Sequence, residues 1–365
     1  MGVDSAPAPA PLQAFANLLL AASQSGCSDV HIRANTPPWG RRGGRLVPLG
    51  DGHVGSDAIA SFVQATAQRA ITGTSVEYSF DLGDKLRARC HAFRDSEGWA
   101  LAIRLVPPTV PGFADLRLPP VVKSFAEPRP GLLLITGPMG SGKSTTAAAV
   151  LSAMASKEPV RVVTLEDPVE HRIYGPQACV SQREIGRDTP SLEQGLHDVL
   201  REDADVLFVG EIRSSSELEV ALHAADMGIS VVATFHTAGA VQTITRLVSM
   251  HAPEAQQVAR ERLAESLRAV LSQRLLPRKG STARVLATEI MVNGHATRDT
   301  LRDPTKLKGL STVLERASDQ GMHTFDQCLL QLCATGLVEV EVAVSYASSP
   351  GNLRRALNLG SMSAA

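Results

Sequence analysis

The stretch Leu132-Leu-Leu-Ile-Thr136-Gly137-Pro138-Met139-Gly140-Ser141-Gly142-Lys143-Ser144-Thr145 decides how the rest of this 365-residue chain is read. Leu132 to Thr136 is an apolar run of strand length, and Thr146-Ala-Ala-Ala-Val150 beyond it is a helix-forming run. Between the two, Gly137 to Ser144 fits G-x-x-x-x-G-K-[ST]. Glycines let backbone N–H groups turn inward, and the N-terminus of the following helix adds partial positive charge, so the loop suits phosphate oxygens. Lys143 is placed to reach the β- and γ-phosphates of a nucleoside triphosphate, and Ser144 to ligate Mg²⁺. Gly137 to Thr145 is therefore the expected nucleotide-binding segment.

Three more apolar runs end in polar groups. Val206-Leu-Phe-Val209-Gly-Glu211 delivers a carboxylate to a strand end, which makes Glu211 the candidate general base for an attacking water. Gly210 intervenes where the commonest second motif places an acid directly after the run. Arg161-Val-Val-Thr-Leu-Glu166-Asp167-Pro168-Val-Glu170 ends in clustered acids before a proline, an arrangement suited to Mg²⁺ and water. Val231-Val-Ala-Thr-Phe-His236-Thr237 ends in a histidine able to sense the γ-phosphate or hold the water.

Helical patterns separate these runs, near Leu192–Arg201 and Ser216–Met227. Such alternation predicts an α/β unit with a mainly parallel sheet covered by helices. In the second of these, Leu218, Ala221, Leu222 and Ala225 form one apolar stripe, and Ser216-Glu-Leu-Glu219 reads as its capping box.

Before the loop, residues 12–106 mix a short apolar helix (Phe15 to Ala22) with strand-like pieces at Ser28–Arg33, Glu77–Leu82 and Leu101–Val106, a small α+β domain. Residues 1–11, rich in Ala and Pro, are expected to be a disordered tail. The prolines between Val106 and Val121 mark an interdomain linker at 107–121, and residues 122–365 then form the nucleotide domain. Beyond Pro253 the text turns helical, over Ala255–Leu276, Lys306–Ser318 and Thr324–Thr335, with one strand at Arg284–Ile290.

Composition bounds the partners. Apolar residues make up 44% and charged residues 20%, as in ordinary globular proteins. Thirty-six basic residues against thirty-seven acidic ones leave a formal charge of −1 and no net field to hold a polyanion, so direct nucleic-acid binding is not expected. The five scattered cysteines fit a reducing compartment without structural zinc. With no bilayer-length apolar run and no basic, then apolar, leader, a cytoplasmic placement is expected.

Taken in order, GPMGSGKST, TLEDPVE, DVLFVGEIR and ATFHT resemble the secretion ATPase superfamily of type II secretion and type IV pili. The resemblance runs over nearly the whole chain after Gly26, through GCSDVHI, YSFDLGDKLRARCHAFR, SQREIGRDT and HTFDQCLLQL. It implies a RecA-like ATPase domain, a PAS-like N-terminal domain and a homohexamer with ATP and Mg²⁺ between subunits. A platform protein would hold it at the cytoplasmic face of the inner membrane.

The resemblance also implies roles: Glu166 in the Asp box and a metal position with Ser144, Glu211 in the second carboxylate motif, and His236 in the His box. Arg87, Arg89 and Arg104, in LRARCHAF and AIRLVP, match N-terminal arginines that close over the nucleotide. Longer extension and secretion relatives carry a four-cysteine zinc insert that this chain lacks, which favours a pilus-retraction motor. Glu97 stands where relatives carry an arginine, and Ala296-Thr-Arg298-Asp matches the family's Ala-Ile-Arg motif in part. Two other readings therefore stay open: a weakly hydrolysing accessory ATPase, and an ATPase of conjugation or type IVB secretion.

Overall fold

The computed structural model describes residues 10–67, 71, 73–83, 85–107 and 109–362. The chain splits into two compact units: Met1–Thr109 with Pro168–Arg172, and Val110–Asp167 with Ile173–Ala365. Residues 1–9 of the expected tail lie outside the described residues, whereas residues 10 and 11 already belong to the first helix.

Unit 1 runs α1 (Ala10–Gln24), β1 (Cys27–Ile32), β2 (Trp39–Arg42), β3 (Arg45–Pro48), α2 (Ser56–Thr66), β4 (Ser75–Leu82), β5 (Leu86–Asp95) and β6 (Gly98–Val106). Its strands form a six-stranded antiparallel sheet in the order β3-β2-β1-β6-β5-β4. Alternation decides the faces. In β5, Ala88, Cys90 and Ala92 enter the core with Phe15, Leu19, Ile59 and Phe62 of the two helices, while Arg87, Arg89 and His91 fall on the opposite side. Phe62 stacks on Phe15 at 4.4 Å and meets Phe80 edge-on at 5.4 Å. Each such enclosed side chain contributes about 1.5–3 kcal/mol of burial free energy.

Unit 2 runs α3 (Val122–Phe125), β7 (Gly131–Thr136), α4 (Lys143–Lys157), β8 (Arg161–Glu166), β9 (Cys179–Glu184), α5 (Leu192–Val199), β10 (Val206–Val209), α6 (Ser215–Asp226), β11 (Ser230–Phe235) and α7 (Ala240–Ser249). It continues through α8 (Gln256–Ser266), β12 (Leu267–Pro277), β13 (Arg284–Val292), α9 (His295–Arg302), α10 (Leu310–Arg316), α11 (Phe325–Ala334), α12 (Val340–Tyr346) and α13 (Pro350–Met362). The sheet order is β13-β12-β7-β11-β10-β8-β9, parallel except for β13 against β12.

Both faces of this sheet are covered, so its strands read as continuous apolar runs. Leu132 and Leu134 of β7 join the core under α5 to α8, while Leu133 and Ile135 join Ala147, Val150, Leu151 and Met154 of α4 on the other face. A smaller cluster, with Leu276, Val285, Phe325, Leu329 and Leu353, holds α11 to α13 against the ends of β12 and β13. Among the described residues, no helix is long and apolar enough to cross a membrane.

Three local expectations need correction. The helix expected over Ala255–Leu276 ends at Ser266, and Leu267 onward is β12, which fills the place beside β7. A strand buried on both faces lacks the period-2 signal that would distinguish it from a buried helix, which is why the run misled. The capping box of α6 is Ser214 with Glu217, two residues earlier than expected. Glu219 instead meets His251 and Arg262. The helix expected over Lys306–Ser318 is a 3₁₀ turn at Leu307–Gly309 followed by the shorter α10.

Candidate nucleotide site

The loop from β7 to α4 is shaped by its glycines and braced by β12. Gly137 has φ +149, and a Cβ there would lie 2.4 Å from Gln273 O and 2.5 Å from Ser141 Oγ, so both conformation and space require glycine. Gln273 Nε2 donates to Thr146 Oγ1 at 2.8 Å, and the hydroxyls of Thr136 and Ser272 bond at 2.8 Å. Neither brace is visible in a sequence that reads as helix from Ala255 to Leu276.

Lys143 opens α4 and is buried. Its Nζ donates to Gly137 O at 2.8 Å and Pro138 O at 3.1 Å, and lies 3.2 Å from His236 Nδ1. An ammonium can only donate, so His236 Nδ1 accepts and the ring proton sits on Nε2. That nitrogen faces Glu211 Oε1 at 3.2 Å. A hydrogen bond from Lys143 to His236 and a close approach of His236 to Glu211 thus connect the phosphate loop to the general-base candidate.

Parallel pairing explains the convergence. Phe235 of β11 is in register with Thr136 of β7, so the residue after each, His236 and Gly137, lies at the same sheet edge. Gly210 explains why Glu211 sits one position late. A Cβ on Gly210 would lie 3.2 Å from both Glu166 Cα and Leu165 O, so the chain passes the end of β8 before presenting its acid.

Glu166 is held differently. It is 8% exposed, and its Oε1 accepts from Thr164 Oγ1 at 2.7 Å and Gln182 Nε2 at 3.1 Å. The Gln182 carbonyl accepts from the Ile173 amide at 2.9 Å, which fixes its NH₂ toward Glu166. Glu211 also receives Arg213 Nε and Nη2, both at 3.2 Å. Burial would lower the Arg213 pKa, but Glu211, Asp167 and Glu217 outweigh it and raise the value, keeping a fixed positive charge beside Glu211.

The three candidate arginines all lie in unit 1. Arg87, 4% exposed, donates to Val169 O at 2.9 Å and Asp81 Oδ1 at 2.7 Å. Arg89 bonds Glu170 at 2.7 Å and approaches Glu77 at 3.4 Å. Arg104 pairs with Asp29 at 3.2 Å, yet its side chain is 60% exposed.

Ser141 Oγ is buried and has no hydrogen-bond partner among the described residues, a vacancy of bonding that a phosphate oxygen would complete. The hydroxyl of Ser144 and the carboxylate of Glu166 are the oxygen donors that Mg²⁺ takes, so the residue set fits the ion.

A glycine-built loop follows the first strand of a covered parallel sheet, and its lysine is bonded to a strand-end histidine that lies beside a carboxylate. Fold and site define a P-loop ATPase with a RecA-like core. The chain belongs to the family described as type II/IV secretion system protein, which it matches over residues 112–325. It is 35% identical over 342 residues to the type IV pilus retractation ATPase PilT of Pseudomonas aeruginosa, covering 92% of this chain and 98% of that one. It is 37% identical over 288 residues to a twitching motility protein of Neisseria gonorrhoeae, covering 79% of this chain and 74% of the relative. The crystal structure of the pilus retraction motor PilT with bound ADP superposes with a TM-score of 0.84 at 32% identity, over 93% of this chain and 99% of that one.

Proposed function

We propose that this chain is an ATP-hydrolysing motor that powers type IV pilus retraction, working as a homohexamer at the cytoplasmic face of the inner membrane on a platform protein. The match to PilT along almost the full length of both chains carries this reading.

The amides of Gly137 to Thr145 wrap the phosphates, and Lys143 exchanges its bond to His236 for the γ-phosphate. Ser144 and Glu166 would hold Mg²⁺, which would supply positive charge to offset that of the terminal phosphates. His236 and Glu211 then hold the attacking water, with Glu211 as the group that polarises it. Arg104, the most exposed of the three arginines, is best suited to reach a neighbouring subunit's nucleotide, whereas Arg87 is enclosed as a strut of its own unit. Arg89 is intermediate, since its ion pairs are partly exposed.

Steady-state phosphate release by the purified chain with Mg-ATP tests this, alongside Lys143→Ala. Release that falls at least about 100-fold in the variant is expected. No release from the unaltered chain, or equal release from both, would overturn the reading. Native mass of the nucleotide-loaded protein reads the hexamer.

A further inference from the structure

β11 delivers His236, and the segment Thr237 to Gly239 then leads into α7. Two side chains from β12 and β13, which lie beyond β7 in the sheet, reach this segment and the start of α7. Arg274 of β12 donates from Nη2 to Ala238 O at 3.0 Å, and Glu289 of β13 accepts from the Ala240 amide through Oε1 at 2.7 Å. The same two side chains reach the C-terminal helices. Glu289 Oε2 accepts from the Phe325 amide at 3.4 Å, at the start of α11. The Arg274 guanidinium lies 4.0 Å over the Phe325 ring, and its Nη1 donates to Tyr346 O at the end of α12.

A carboxylate in this place is costly. Glu289 is 8% exposed, and burial pushes its pKa up even though the amides of Ala240 and Phe325 and the charge of Arg274 pull it down. An apolar residue would fill the space without that penalty. What only a carboxylate supplies is two acceptor oxygens, each aimed at the first amide of a different ten-residue helix, where partial positive charge collects.

We infer that Glu289 and Arg274 are positioning residues for hydrolysis, fixing the segment behind His236 and linking its position to α11 and α12. The inference rests on the motor reading above and adds a route by which events at the γ-phosphate reach the C-terminal helices.

Glu289→Gln keeps the shape but points an NH₂ at one of the two amides. Expected are a kcat for ATP about tenfold lower, a KM within about twofold, and unchanged affinity for Mg-ADP, because the phosphate loop is untouched. Amide hydrogen exchange supplies the reading that a merely structural role would not move. In the unaltered chain, Mg-ATPγS should change exchange over Phe325–Ala334, and in Glu289→Gln that response should disappear.

Gly239→Ala perturbs the same contact while leaving the carboxylate intact. Its Cβ would lie 3.0 Å from Glu289 Oε1, and a kcat loss of about threefold is expected. Normal kcat in both variants, or a nucleotide response of α11 that survives Glu289→Gln, would overturn this inference while leaving the motor reading intact. An unaltered chain that hydrolyses no ATP would sink both.

Discussion

The ends of β8 and β10 each deliver a glutamate to the same sheet edge, under opposite conditions. Glu166 is enclosed and takes two donors, from Thr164 and Gln182, on one oxygen. Glu211 is 27% exposed and shares itself between His236 and Arg213, groups on separate segments. The enclosed carboxylate suits the proposed role of an ion's ligand, and the more exposed one suits the proposed role of a base.

The sharpest way to break this contrast is Glu211→Gln. It should lower kcat about 1,000-fold and leave ATP affinity close to normal, read by phosphate release and by equilibrium nucleotide binding. Near-normal turnover would remove Glu211 from its role. Glu166→Gln should cost about 100-fold in kcat and also raise the Mg²⁺ concentration for half-maximal rate, a shift that Glu211→Gln should not produce. An identical Mg²⁺ response in the two variants would erase the distinction between the acids. Gln182→Leu should reproduce the Glu166 phenotype in weaker form, about tenfold, since it deletes only one of the donors that orient the carboxylate.

The smallest effect lies in unit 1. Burial alone would raise the Asp81 pKa, but hydrogen bonds and charge from Arg172 and Arg87 bring it below its ordinary value. An acid whose folded pKa is depressed adds stability that is present above the ordinary carboxylate range and lost as pH falls through the folded value. Asp81→Asn should therefore lower the thermal midpoint at neutral pH by about 2 °C and flatten its fall in acid. Trp39 and Trp99, the only two tryptophans in the chain, both belong to unit 1, so tryptophan fluorescence reads this transition directly. An unchanged acid limb would show that the ion pairs do not act as described.

How much of this was legible beforehand depends on the range over which each signal acts. The phosphate loop, Glu166, Glu211 and His236 were readable because each ends a short apolar run, and parallel register then brings run ends together. β12 was not readable. Its residues follow a helix without a breaker, and only the place beside β7 makes Leu267 to Pro277 a strand. With β12 went Gln273, Ser272 and Arg274, whose roles exist only across strands. Glu289 was hidden for the same reason, since its two amide partners lie 49 and 36 residues away in sequence. The capping box slipped because Ser214-Ser-Ser-Glu-Leu-Glu219 satisfies the same spacing twice, and packing of α6, not the motif, chooses between them.

The five residues Pro168–Arg172 that count with unit 1 make that unit discontinuous along the gene. A fragment cut after Thr109 would encode its helices and strands, yet omit the carbonyl that receives Arg87 Nε and the carboxylate that receives Arg89. A chimera exchanging amino-terminal halves between relatives must therefore carry this short downstream piece as well, or leave an almost fully enclosed guanidinium short of an acceptor.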